Sequence, residues 1–200
     1  MSRQVFQDKI FPRHIADLMN LMHMMVFNGT DGEENWSTYL SPRQKEYVAL
    51  GLAQYYQCSH CIDYHTRSLI HLDKTHKDTL SKNIRAMILF LRIDTRTITT
   101  SEKEHWIESW HRFAKNISHE TSDLMIPHLI GLAIGIARDD DFLIQFCGSE
   151  VNGKLSSQAI EFNAAIGELE SLVIYMKAAV SKNRVVDKLE QLLEATNNTD

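Results

Sequence analysis

The sequence predicts an all-α protein, a bundle of about eight helices, on three observations. Only three prolines and eight glycines interrupt 200 residues, and Leu, Ala, Ile, Met and Glu, all frequent here, favour helix over sheet. Apolar residues recur at three- and four-residue spacing in one segment after another. No segment alternates with a period of two and is rich in β-branched residues. Arg92 to Thr100, RIDTRTITT, is the one strand-like piece and reads as a linker. No short repeat, low-complexity tract or long linker divides the chain, so residues 1–200 are expected to form one domain.

The elements follow in order. Phe6 to Phe27 reads as a helical opening segment whose regular part starts near Pro12. Ile15, Leu18, Met19, Leu21, Met22, Met25 and Val26 form its apolar stripe, expected to meet the core or a subunit interface. Asn28 to Thr38 is a polar loop. Ser41, Pro42 and Gln44 start a second helix: serine caps, proline takes the first position, and Gln44 closes a capping box. This helix is expected to reach about Tyr56, with a break over Gln57 to Ser59. The next spans about Ser59 to Leu72 and ends at Asp73 and Lys74. Further helices are expected over Thr79–Ile93, from a Ser101–Glu104 capping box to Ile117, and from Thr121 or Ser122 to Ala137. A short helix capped by Asp139 or Asp140 runs through Cys147, and Gly148 to Gly153 makes a turn. A long helix from Ser156 or Ser157 reaches Val180, and a last one covers Asn183 to Glu194. Residues 195–200, ATNNTD, form a polar tail expected to be disordered.

Composition narrows the function classes. The net charge is −5, and no basic patch interleaved with aromatics is present, which argues against nucleic-acid binding. Asp8, Lys9, Arg13, His14 and Asp17 break up the N-terminal stretch, so no signal peptide is expected. No run approaches the roughly 18 apolar residues of a membrane span. A soluble, cytoplasmic protein is the expectation. There are three cysteines, and a C-x-x-C in a reducing compartment points to redox or metal chemistry rather than to a structural bridge.

Chemistry concentrates in Ser41 to Leu72. Cys58 and Cys61 form the C-x-x-C, His60 lies between them, His65 follows one helical turn after Cys61, and Glu46 stands twelve residues before Cys58. On a helix Cys58, Cys61 and His65 share one face. A C-x-x-C at a helix start places its sulfurs beside free N–H groups and the positive end of the dipole, which stabilises a thiolate. Two thiols one turn apart can close a disulfide without moving the backbone. If the chain reverses near Gln57, the two helices lie antiparallel and Glu46 comes level with His65. The expected relay runs from Glu46 through His65 to a cysteine thiol.

The pattern E-x11-C-x-H-C-x3-H, filled by Glu46, Cys58, His60, Cys61 and His65, resembles the AhpD family of alkylhydroperoxidases, within the carboxymuconolactone decarboxylase-like superfamily. All five positions match in type and spacing, and the match covers about Ser41 to Leu72. The decarboxylases of that superfamily generally lack the C-x-x-C. The resemblance implies an all-α fold, assembly into a homotrimer or homohexamer, and thiol-dependent reduction of organic hydroperoxides. It implies Cys61 as peroxidatic, Cys58 as resolving, and the two as a redox-active disulfide. Glu46 and His65 would relay the proton, and His60 would tune or position them. The reductant would be a dithiol, a dihydrolipoyl or thioredoxin-like protein, and no metal or other cofactor is needed.

Other readings remain open on the residues alone. The same pair suits a thiol–disulfide oxidoreductase or redox sensor. Cys58, Cys61 and His65 with His60 or Glu46 also make up a zinc ligand set, although structural zinc usually joins two distant clusters and no second one is present. A decarboxylase-like enzyme has no direct support from the motif. Glu46, beside Arg43 and Lys45, has the local look of a solvated surface charge. His71, His76, His105, His111, His119 and His128 read as surface or satisfied core. Cys147 reads as a small buried hydrophobe, and Trp36, Trp106 and Trp110 as core or interface anchors.

Overall fold

Local capping chemistry starts the helices, and the match between their apolar stripes fixes how they pack. The computed structural model describes residues 13–27, 39–74, 78–154 and 159–197. Among these are eight α-helices and no strand: α1 (Arg13–Phe27), α2 (Pro42–Tyr55), α3 (Ser59–Leu72), α4 (Asp78–Phe90), α5 (Thr100–Thr121), α6 (Ile126–Arg138), α7 (Asp141–Asn152) and α8 (Ala159–Asn197). The all-α bundle read from the sequence is therefore the observed architecture. The expected loop over residues 28–38, with Trp36, lies outside the described residues, as do His76 and the expected caps Ser156 and Ser157.

Two helices form the centre. In α6 every residue from Ile126 to Gly135 is buried, and α2 is buried from Lys45 to Ala53. Glycine lets them approach: a Cβ on Gly51 would lie 2.7 Å from Ile130 Cγ2. Gly131 and Gly135, four apart, do the same for neighbouring helices. A Cβ on Gly131 would sit 2.6 Å from Cys147 Sγ and 2.7 Å from Trp110, and one on Gly135 would lie 3.0 Å from Leu143 Cβ. Trp106, Trp110 and Cys147 are buried, as expected.

The α2–α3 hairpin holds the five motif residues, and backbone hydrogen bonds shape its turn. Ser41 Oγ accepts from Gln44 N at 3.2 Å while Gln44 Oε1 accepts from Ser41 N at 3.0 Å, the expected capping box. Gln57 adopts φ 58°. Cys58 N donates to Ala53 O (3.0 Å) and Gln57 N to Gln54 O (3.2 Å), the Schellman pattern that usually recruits glycine. Cys58 thus ends one helix and caps the next. At the far end Arg43 Nε and the Tyr47 hydroxyl both donate to Asp73 Oδ2 at 2.7 Å, tying the start of α2 to the end of α3.

Several boundaries differ from the sequence reading. α5 is capped by Thr99, whose Oγ1 accepts from Glu102 N, rather than by Ser101. Two boxes overlap there, and the earlier one adds residues to the helix while Glu102 reaches back to Thr99 N. α5 continues past Ile117 because Ser118 and Thr121 lie on its buried face, and it stops where Ser122 takes φ 52°. α6 begins at Ile126, not near Thr121, with Pro127 in its first turn, where a missing N–H costs nothing. α7 runs through Gly148 to Asn152, because Gly148 and Val151 face the core.

The largest corrections concern the ends. The two helices expected over Ser156–Val180 and Asn183–Glu194 are one, α8. Its buried stripe of Leu169, Leu172, Val173, Met176, Val180 and Val186 passes through Ser181–Asn183 with no proline or glycine to stop it. Residues 195–197 belong to this helix rather than to a disordered tail. In α1 only Val26 and Phe27 are buried. Leu18, Leu21, Met24 and Met25 are exposed, Met25 to 71%, so most of that stripe is not core. One face of α1 rests on α8.

Two outcomes follow for stability. Gly131→Ala should destabilise the protein by about 1–3 kcal/mol, because overpacking against Trp110 and Cys147 outweighs the gain in helix propensity; urea unfolding measures it. His128 is buried, accepts from Trp110 Nε1 at 3.4 Å, and has a pKa held down to about 4, against an ordinary 6.5, by burial and then by Lys154, with Glu150 opposing. At 3.7 Å from Glu150 a neutral ring makes no ion pair. The unfolded chain therefore takes up the proton first. The stability contributed by His128 is complete above about pH 6.5 and is lost as pH falls toward 4. Unfolding at pH 7 and pH 4.5 should show a smaller acid loss in His128→Gln than in the wild type.

Candidate functional site

The five motif residues are brought together by the α2–α3 hairpin, and a sixth group arrives from α8. Cys58 is the N-cap of α3, and its Sγ accepts from Cys61 N at 3.3 Å. Cys58 and Cys61 are joined as a disulfide with a Cα–Cα distance of 5.3 Å, within the ordinary range. Both cysteines are 5% exposed.

One turn deeper on the same face, His65 Nδ1 donates to Glu46 Oε2 at 2.8 Å. His65 is 3% exposed and Glu46 5%. Glu46 is thus a buried orienting group and not the solvated charge its neighbours suggested. Lys45, next to it, is also buried and pairs with Glu168 Oε2 at 3.1 Å. Glu168 in turn accepts from Tyr39 N and Leu40 N. The His65 ring stacks on Phe27 with centroids 5.9 Å apart and meets the Tyr64 ring edge-on at 5.2 Å. With Nδ1 committed to Glu46, the other nitrogen, Nε2, is the one left to exchange a proton.

Cys61 and His65 open onto one cleft of about 370 Å³ between α1, α3 and α8. Met19, His23, Tyr64 and Tyr175 form its apolar and aromatic walls. Cys58 is not among the described residues lining it. Burial pushes the Tyr175 hydroxyl up to about 12 and raises Tyr64 as well, with Glu46 adding to both shifts. Both tyrosines therefore remain O–H donors at neutral pH. His60 lines the same cleft and donates from Nε2 to Asp187 Oδ1 at 3.1 Å, a half-exposed pair worth at most about 1 kcal/mol.

Asn183 is what sequence reasoning missed. Its Nδ2 lies 3.4 Å from Cys61 Sγ and 3.6 Å from Cys58 Sγ. The sequence reading made it the start of a last helix. The available signal was a polar residue three places after Val180 in an apolar stripe that resumes at Val186. The adjacent Arg184 donates from Nη2 to Tyr56 O at 2.6 Å, holding α8 against the hairpin turn.

No group of three or more His, Cys, Asp or Glu side chains that could hold a metal ion is present among the described residues. In this arrangement the sulfurs are bonded to each other and Glu46 is bonded to His65, so the zinc ligand set is not assembled. Among the described residues no helix is long and apolar enough to cross a membrane.

Residues 23–80 match the Carboxymuconolactone decarboxylase family, the superfamily of the AhpD-like proteins. Glu46, Cys58, His60, Cys61 and His65 all lie within the matched residues. Neither the curated proteins nor the solved structures gave a match.

The Glu46–His65 bond can be tested apart from any activity. Glu46→Ala leaves His65 Nδ1–H buried without an acceptor and should cost about 1–3 kcal/mol. Glu46→Gln keeps an oxygen in place and should cost clearly less. Denaturant titrations of both variants with the disulfide intact measure the difference, and equal losses would contradict the bond.

Proposed function

We propose, with that family match as the premise, that the chain is a thiol-dependent peroxidase that reduces organic hydroperoxides through Cys58 and Cys61. The observation that carries this reading is that a sulfur and an imidazole share one aromatic-walled cleft, with the imidazole backed by a buried carboxylate.

In the reduced protein His65 Nε2 takes the Cys61 thiol proton while Glu46 supports the charge that forms on the ring. The thiolate attacks the terminal oxygen of the hydroperoxide. The S–O bond forms as the O–O bond breaks, so sulfur is oxidised and the peroxide reduced by two electrons. The departing alkoxide takes the proton from His65 and leaves as an alcohol, with a sulfenic acid on Cys61. The Cys58 thiol then attacks that sulfur, forming the S–S bond and releasing water. The disulfide described above is the product of this step. A dithiol reductant attacks Cys61 Sγ from the cleft, and Cys58 leaves as a thiolate next to Cys61 N–H. The second thiol of the reductant releases Cys61, and the reductant departs as a disulfide. The sum is one hydroperoxide and one dithiol converted to an alcohol, water and a disulfide.

The burial of both sulfurs favours small or slender substrates over a folded protein's disulfide. The same feature favours a dihydrolipoyl arm over a bulky thioredoxin-like donor. Cytoplasmic residence and a homotrimeric or homohexameric assembly complete the proposal, the assembly on the strength of the resemblance. A thiol–disulfide oxidoreductase or redox sensor would use the same residues, and the assay separates it from a peroxidase.

With dihydrolipoamide or dithiothreitol as donor, the wild type should consume cumene hydroperoxide, while Cys58→Ser and Cys61→Ser each fall to the rate without protein. His65→Asn should lose about 10²-fold or more, the usual contribution of a general acid–base. After peroxide treatment a sulfenic acid should be trapped on Cys61 in Cys58→Ser and on no residue in Cys61→Ser. Turnover absent with both donors, alongside reversible disulfide formation, would hand the site to the oxidoreductase reading.

A further inference from the structure

We propose that Asn183 is a catalytic residue whose side-chain amide holds both sulfurs of the Cys58–Cys61 pair and stabilises whichever of them carries negative charge. The inference rests on the reading of that pair as a cycling dithiol. It concerns a residue far outside both the C-x-x-C motif and the matched stretch 23–80.

Three observations carry it. First, Nδ2 is the atom that faces the sulfurs, at 3.4 Å from Cys61 and 3.6 Å from Cys58. An amide NH₂ has two hydrogens and no acceptor role, so it can serve both sulfurs at once. Second, the position is built. Asn183 continues the stripe of Met176, Val180 and Val186, where an apolar residue would be the ordinary choice. Arg184 to Tyr56 O and Asp187 to His60 hold this part of α8 on the hairpin turn. Third, the two existing aids to thiolate formation are unequal. The capping N–H of Cys61 reaches Cys58 alone, and His65 lies on the cleft side with Cys61. Asn183 is the donor common to both sulfurs.

The chemistry gives the contact a direction. A disulfide sulfur is a weak acceptor and a thiolate is a strong one, so the same amide contributes little in the oxidised state and more in the reduced, charged one. It therefore favours attack by Cys61 on the O–O bond. It also favours departure of Cys58 as the S–S bond is broken by the donor dithiol. No electron or proton passes through Asn183.

The test uses the reduced full-length protein and the variants Asn183→Leu and Asn183→Asp. Leucine removes the donor at similar volume, and aspartate replaces it with a carboxylate of the same shape. The surrounding charges, Glu46, His60, His65, His23, Lys182 and Asp187, are unchanged in both, and Tyr64 and Tyr175 remain hydroxyls. The readouts are the pH profile of iodoacetamide alkylation and the equilibrium with a dithiothreitol redox buffer. Asn183→Leu should alkylate about tenfold more slowly at pH 7, with its profile displaced to higher pH. It should also shift the redox equilibrium about tenfold toward the disulfide. Asn183→Asp should do more in both. If either variant fails to fold, as circular dichroism would reveal, Asn183→Ala replaces it. Alanine removes the donor without adding bulk or charge and should show the displacement expected of Leu. Profiles and equilibria within about twofold of wild type in the folded variants would overturn the proposal and leave Asn183 a packing residue. Hydroperoxide turnover is scored separately. A wild type without turnover whose thiols still respond to Asn183 sinks the peroxidase reading alone.

Discussion

His65 Nδ1 and Glu46 Oε2 meet 2.8 Å apart with almost no water on either side. Neither group has solvent to fall back on, so the bond fixes both the ring's orientation and which nitrogen faces the cleft. Everything proposed for the sulfurs depends on that orientation. An imidazole free to turn, or one bonded through its other nitrogen, would not present a proton acceptor beside Cys61.

The bond exists because the hairpin has one register. At its tip Gln57 enters the left-handed region and Cys58 N returns to Ala53 O, so only three residues separate the end of α2 from the start of α3. At its open end Asp73 accepts from both Arg43 and Tyr47. With the two ends pinned, the level at which Glu46 faces α3 is settled. The turn's strain, about 1–2 kcal/mol for a non-glycine residue in this conformation, is spent where it positions Cys58 as a cap with its sulfur against Cys61 N. α8 then closes the site from a third side with Tyr175, Lys182 and Asn183. The cysteine pair, held by two local helices and one distant one, is nearly buried, with Cys61 facing the cleft between α1, α3 and α8.

The parts of this arrangement written in short-range chemistry were readable in advance. Ser41, Pro42 and Gln44 announced the start of α2, and the boundaries of α3 at Ser59 and Leu72 were read correctly, because caps and turns depend on residues within four places of one another. The expected meeting of Glu46 and His65 was readable for the same reason: both residues lie on one hairpin. Errors fell where two local solutions competed, as between Thr99 and Ser101. They also fell where a polar triplet, Ser181 to Asn183, had the look of a break but lay on a stripe long enough to carry the helix through it.

By itself the sequence determined that the chain is helical, where most helices begin, and that two thiols, an imidazole and a carboxylate share one hairpin. The tertiary structure decided that Glu46 is buried rather than solvated, that Leu18, Leu21 and Met25 of the α1 stripe stay exposed, and that Asn183 reaches the sulfurs. Helix periodicity fixes which residues share a face, but not what that face will meet. For α8, more than a hundred residues beyond the hairpin along the chain, only the packing against α1, α2, α3 and α6 supplies that answer.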